Sequence, residues 1–453
     1  MNRRNLGRNL GTAVAGRLTS MGGQNGLNFA DSLRRTAIAL TAVLGCLLGS
    51  PRGGLAGDWP QILGPDRNGK AHGEHLLKAF PASGPKTVWT YPVGSGFAGV
   101  AVVDKRVVLF HRLQDESVAE ALDAATGKPL WKRTFPTRYV SRISEDNGPR
   151  CVPLVHEGSV FLFGASGDLH CLSLDSGKLR WERNVYAEFH GDEGYFGAGS
   201  SPIVDSGRLL LNVGGRPGAG LAAFSLNDGK TLWKATDEAA SYSSPTAATI
   251  DGVRHVVFVT RLNVVSVDPK TGQERFRFPF GARGPTVNAA TPLILGNNLF
   301  VSASYDIGAE WAKISKDKAD IVWQNDDTMS SQYSTCVEKD GFLYGVDGRQ
   351  DVGVARLRCF DPRTGTVQWT EEGFGTASLI LADNRLLILK TDGRLILAEP
   401  SPKKFRPLAT AAIFDTSGSR NVVQALPALS NGRLYARDAT TLKCIDLRPP
   451  TEK

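Results

Sequence analysis

A self-similar unit constrains this chain more than any other feature of its sequence. The segment ALDAATGKPLW (121–131) returns as CLSLDSGKLRW (171–181), AFSLNDGKTLW (223–233), SVDPKTGQERF (266–276), KISKDKADIVW (313–323) and CFDPRTGTVQW (359–369). The aromatic ends fall at Trp131, Trp181, Trp233, Phe276, Trp323 and Trp369, spaced by 50, 52, 43, 47 and 46 residues. Trp89, in TVWTYPV (87–93), lies 42 residues upstream of the first of these. A period of this length means a solenoid, a propeller or an array, built from units that bury their apolar faces only against one another.

The interior of the unit selects among these. Each repeat holds four short apolar or alternating runs, as in SSPIV, RLLLNV, GLAAFSL and TLWKAT (200–236). Runs rich in Val, Leu, Phe and Trp and bounded by Gly, Asp and Asn read as strands. The turn between the third and fourth runs carries Gly127, Gly177, Gly229, Gly272 or Gly365, where a positive φ is expected. Pro153, Pro202, Pro245, Pro292 and Pro427 stand at the start of the first run, which need not donate to a ladder. No segment sustains a 3.6-residue period, so the fold class is all-β.

Four-stranded antiparallel units at this period predict a β-propeller. Seven full blades are expected at about 98–135, 151–185, 200–236, 243–280, 289–326, 334–372 and 377–413. The last stretch, 425–447, supplies three strands, and the orphan run at 87–93 supplies a fourth. An eighth blade shared by the N- and C-terminal strands would close the ring and remove open sheet edges. Eight blades over 87–449 is therefore the expectation, with seven as the alternative.

The A-x-D-x-x-T-G-K-x-x-W unit resembles that of the PQQ-type propeller family, which includes quinoprotein alcohol dehydrogenases and the BamB subunit of the outer-membrane assembly machinery. The resemblance covers about 87–447 and implies that Trp131, Trp181, Trp233, Trp323 and Trp369 each dock one blade against the next. Phe276 departs conservatively, and the seventh blade, with KKFRPL (403–408), has lost the motif. The segment DWPQILGPDRNG (58–69) looks like the lead-in of secreted PQQ-repeat proteins of planctomycete-type bacteria.

The N-terminal region reads as a leader over 1–57, followed by an arm over 58–86. Residues 36–48, TAIALTAVLGCLL, form an apolar run after Arg34 and Arg35, too short to span a bilayer. Basic flank, short apolar core and small residues up to Ala56 and Gly57 resemble a secretory signal. Val43-Leu44-Gly45-Cys46 is a loose lipobox, so Cys46 is either a lipidated N-terminus, the only expected membrane anchor, or an apolar filler. Export places the protein in the periplasm or outside the cell. The leader also holds seven Arg and one acid, so most of the formal charge of +8 belongs to it and the remainder carries only +2. A folded part so close to neutral argues against nucleic acid as a partner. Cys151, Cys171, Cys336, Cys359 and Cys444 have no CxxC spacing and sit in strand-like contexts, as small buried hydrophobes do.

Function must be read where loops converge. The loops feeding the innermost strands gather at one mouth of a propeller channel. They are unusually rich in charged and aromatic residues: Arg142, Glu145, Asp146, His190, Asp192, Glu193, Tyr195, Tyr242, Arg283, Asn288, Tyr333 and Arg420. Such a polar funnel suits a polar ligand or a peptide, and solvated loops would show the same composition. The resemblance implies one enzymatic alternative, a PQQ- and calcium-dependent dehydrogenase, with Glu193 and Asn288 on the metal and Asp327 as base. Ca²⁺ takes six to eight oxygens, but no Cys-Cys pair or haem-attachment CxxCH is present. His190, beside Asp192 and Glu193, is the only histidine with acid–base company. His72 and His75 read as solvated residues of the arm. No GxSxG, HExxH or Walker A occurs. The expectation is an exported, non-catalytic binding or scaffold module without a cofactor, whose partner is an envelope or extracellular protein or glycan.

Overall fold

A computed structural model describes residues 57–417 and 422–450. Residues 1–56 of the leader, with Arg34, Arg35, Cys46 and Ala56, lie outside them, as does Arg420. Eight four-stranded antiparallel sheets stand in a ring, so the protein is an eight-bladed β-propeller and the seven-bladed alternative falls. Blade 1 shows the plan, with strands Ala101–Val103, Arg106–Leu113, Glu116–Asp123 and Pro129–Pro136 running from channel to rim. Blades 2 to 7 repeat it over 154–184, 203–235, 246–279, 293–325, 337–371 and 377–412. In blade 8, Lys86–Pro92 is the outer strand beside Thr441–Asp446, Arg433–Arg437 and Ala428–Ser430. The prolines expected at the first strand stand one residue before it, since the innermost strands begin at Leu154, Ile203, Thr246, Leu293 and Ala428.

The core lies between blades rather than within one. Along Ser159–Phe163, Val160 and Leu162 pack with Val108 and Phe110 of blade 1, whereas Phe161 and Phe163 pack with Leu209 and Leu211 of blade 3. Alternation sends successive side chains to opposite faces, and both faces are covered, so every residue of this strand is buried.

The repeated turn and the repeated tryptophan meet across each blade junction. Trp131 Nε1 donates to Leu174 O (2.7 Å), Trp181 to Leu226 O (2.9 Å), Trp233 to Pro269 O (3.0 Å) and Trp323 to Pro362 O (2.7 Å). Each acceptor lies three residues before the turn glycine of the next blade. The glycines have the expected positive φ, 65° at Gly177 and 68° at Gly229. The indole adds a second requirement: a Cβ on Gly177 would stand 2.5 Å from the Trp131 ring, and one on Gly229 2.7 Å from Trp181. Trp89 closes the ring in the same way, over Gly127 and bonded to Ala124 O. Trp369 still donates to Ser401 O (2.8 Å) in the blade that lost the motif, and its ring lies 5.9 Å from Phe405.

The arm over 58–86 is built into the propeller, while its His72 and His75 stay exposed. Trp59, 2% exposed, exchanges two backbone hydrogen bonds with Val102 of blade 1. Pro60 O accepts from Val155 N of blade 2, and Arg67 donates to Ser201 O and Pro202 O at the entry to blade 3. Lys70 pairs with Glu338 of blade 6, Gly69 O accepts from Leu381 N of blade 7, and Glu74 accepts from Asn431 N of blade 8. Contacts on opposite sides of the ring put this segment across the axis, at the end that carries the turns between first and second strands. His72 pairs with Asp66 at 2.6 Å, both exposed.

Candidate functional site

The opposite end of the channel is the mouth, and most polar groups there are engaged in holding its loops. Asp146 Oδ1 accepts from Gly148 N (2.9 Å) and Oδ2 from Gly96 N (2.7 Å), joining the entries to blades 1 and 2. The Tyr242 hydroxyl accepts from both Tyr195 N and Phe196 N at 2.9 Å. Phe196 stands edge-on to Tyr242 (5.6 Å between centroids), and the Arg150 guanidinium lies over Phe196 at 5.6 Å and over Phe97 at 5.3 Å. Arg150 also donates to Gly148 O and Asp146 O. Across the mouth, Tyr333 Oη donates to Gln350 Oε1, which also accepts from Gln424 Nε2, each at 2.7 Å. Burial pushes the Tyr333 hydroxyl up to about 12, so it stays a donor.

The short helix Val185–Phe189 interrupts the β pattern before blade 3. The Asn184 side chain accepts from Ala187 N (2.7 Å) as its N-cap. His190 ends it in the left-handed region at φ 53°, its N–H bonded to Tyr186 O. This position accounts for His190: its ring is exposed, and among the described residues no hydrogen bond joins it to Asp192 or Glu193. Asp192 Oδ1 instead accepts from Gly194 N (2.6 Å). The acid–base company read from sequence is proximity along the chain only.

Glu193, Asn288 and Asp327 occupy three different environments. Glu193 and Asp327 are exposed, whereas Asn288 is 1% exposed. Asn288 Nδ2 donates to Thr260 O (2.8 Å) and Arg261 O (3.3 Å), and its carbonyl accepts from Tyr242 N and Ser243 N at 3.0 Å each. It stitches the loops into blades 4 and 5 together, leaving only its buried Oδ1 without a partner. Among the described residues no three His, Cys, Asp or Glu side chains gather. One buried amide oxygen and scattered rim carboxylates do not supply the six to eight oxygens of a calcium site. Arg142, Glu145 and Arg283 are exposed on their loops.

The mouth contains one concavity that sequence reading missed. Between blades 2 and 3, Phe163, Tyr186, Ser200, Asn212 and Tyr242 enclose about 20 Å³, with Asp192 and Glu193 at the rim. Asn212 lies in RLLLNVGG, where it interrupts an otherwise apolar buried strand, and that interruption is its signal in the sequence. Arg150, Phe97 and Phe196 had no comparable signal, because only loop geometry stacks them. The five cysteines of the described residues are buried and unpaired, and burial raises the Cys151 thiol to about 11.

Comparison with known proteins agrees with this architecture. The curated outer membrane protein assembly factor BamB of Burkholderia pseudomallei (strain K96243) is 21% identical over 371 residues, covering 70% of this chain and 89% of that protein. The crystal structure of BamB from Moraxella catarrhalis superposes with a TM-score of 0.58 at 13% identity, covering 81% of this chain and 99% of that one. The quinohemoprotein alcohol dehydrogenase from Comamonas testosteroni gives 0.62 at 13% identity, covering 87% and 81%. At these identities the superpositions speak to the fold alone. The family model described as outer membrane protein assembly factor BamB matches residues 114–371, more than half of the sequence, and the chain belongs to that family of PQQ-repeat propellers.

Proposed function

We propose that this protein is an exported, non-catalytic propeller that acts in the cell envelope as a binding or scaffold module, with the loop mouth as its recognition face. The observation that carries the reading is the engagement of the mouth's polar groups. Asp146, Tyr242, Asn288 and Tyr333 are occupied by backbone or loop partners, which makes a rigid surface rather than a set of free acids and bases. A pre-organised surface limits the ordering cost of binding. The exposed groups on this frame, Arg142, Glu193 and Arg283 with the half-buried Tyr195, supply the charge and aromatic area that a partner reads. The relatives named as outer-membrane assembly factors support an envelope location. Among the described residues no helix is long and apolar enough to cross a membrane.

The dehydrogenase alternative is tested by melting the protein with PQQ and Ca²⁺ against Ca²⁺ alone. A ligand at a hundred times its Kd stabilises by about 2.7 kcal/mol, and no such shift is expected. A shift that requires both components would overturn the non-catalytic reading and make Glu193, Asn288 and Asp327 the first residues to substitute. The binding reading is tested by retention of solubilised envelope proteins on the immobilised full chain. Tyr195→Ala should reduce a specific retention at least tenfold, and equal retention by both chains would remove the mouth as the recognition face.

A further inference from the structure

The concavity between blades 2 and 3 has a chemistry of its own. Asn212 is 1% exposed, and neither its Oδ1 nor its Nδ2 has a hydrogen-bond partner among the described residues. Ser200 Oγ, also 1% exposed, has none either, and both residues line the same cavity. Leaving such groups unpaired is costly, and Asn212 stands in a strand whose neighbouring Leu211 and Val213 are apolar and buried. A ligand group that pairs all three atoms at once would remove that cost.

The shape and charge of the site narrow what arrives. The cavity is about 20 Å³, room for a group the size of one water. A carboxylate or phosphate would meet Asp192 and Glu193 at the rim and has no proton for Asn212 Oδ1. An ammonium only donates, so Nδ2 would remain unpaired. A carboxamide has both functions and exceeds the volume. A hydroxyl donates and accepts within the size of a water. We infer that this cavity takes one hydroxyl of a sugar-type polyol, so that the recognition face proposed above reads a glycan.

The surroundings suit the rest of such a ligand. Asp192 and Glu193 can accept from further hydroxyls, and the half-buried rings of Tyr195 and Phe196 beside Tyr242 offer apolar faces to the C–H bonds of a pyranose. The glycines of this loop allow the close approach: a Cβ on Gly199 would stand 2.7 Å from the Tyr242 ring.

The inference rests on the binding-module reading, and ligand-observed saturation-transfer NMR on the full chain tests it. The probes are methyl α-glucopyranoside, N-acetylglucosamine and glycerol at millimolar concentration. Saturable transfer to a pyranoside is expected, weakened at least tenfold in Asn212→Leu, whose melting temperature should equal or exceed that of the parent because an unpaired amide has been removed. If Asn212→Leu does not fold, the milder Ser200→Ala should show a loss of several-fold. Absence of saturable transfer to all three probes would mean that the cavity holds water only and would overturn the inference. Undiminished binding in the folded variant would overturn it as well, by placing the sugar elsewhere. Either failure leaves the Tyr195→Ala retention result untouched, so it is distinguishable from failure of the binding-module reading.

Discussion

At the scale of single residues, the repeated glycine answers two demands, one local and one across a blade junction. Gly177 has φ 65° and lies against the Trp131 ring, whereas Gly207 has φ 71° with nothing within 4 Å of a Cβ. Gly207→Ala should therefore cost about 1–2 kcal/mol, the left-handed penalty alone. Gly177→Ala should add overpacking of about 1–3 kcal/mol, and urea unfolding of the two variants measures the difference. Equal losses would show that the indole does not select glycine. The turn glycine was legible in sequence because φ is a local property, and the ring over it was not. Titration gives a second prediction at this scale. Glu310 is 2% exposed, its Oε2 has no partner, and burial pushes its carboxyl up to about 7. An unfolded Glu loses its proton near pH 4.5, so the folded state holds the extra proton between there and about 7, and stability falls as pH rises through that window. Glu310→Gln should stabilise the protein by about 2–3 kcal/mol at pH 8 and by little near pH 4. A pH-independent gain would show that the carboxyl does not titrate in this way. His170 acts oppositely: burial lowers its ring to about 4. The unfolded state then takes up the proton first, and that stability is lost as pH falls from about 6.5 to 4.

At the scale of elements, the blades declared themselves and the N-terminal arm did not. Period-2 runs bounded by turn residues describe a strand wherever it is placed, so every blade from 101 to 446 was legible. The arm over 58–86 shows no such run, and its DWPQILGPDRNG (58–69) carried only a resemblance to a lead-in. In the structure Arg67 is 2% exposed, and burial lowers its guanidinium to about 9 while carbonyls of blade 3 hold it. Only a ring with an open end gives such a segment somewhere to pack. Trp59, buried with Leu76 and Leu77 in the cluster that joins blades 7, 8 and 1, is the anchor of the arm. Trp59→Ala should cost about 3–5 kcal/mol, as large-to-small core substitutions do. A loss below about 1 kcal/mol in the same urea assay would make the arm an ornament of the ring rather than part of its core.

At the scale of the whole molecule, closure decides stability. Thr441–Asp446 lies between Lys86–Pro92 and Arg433–Arg437, so the last strand of the propeller holds the first one in blade 8. A chain ending at residue 440 should lose this seam, expose strand edges and associate, which light scattering and a broadened melt would register. A monomeric, cooperative melt from the shortened chain would show that the ring does not depend on its seam. Period and turn chemistry were readable along the chain because each is a property of neighbouring residues, and they led to eight units with one split between the termini, while the closed ring ruled out the seven-bladed alternative. The site follows a different physics. Whether Asn288 offers its amide to a ligand or to Thr260 O, whether Arg150 finds Phe97 and Phe196, and whether Asn212 is paired all depend on loops of different blades meeting at the mouth. Those meetings are set by the curvature of the closed ring, which no local pattern in the chain encodes.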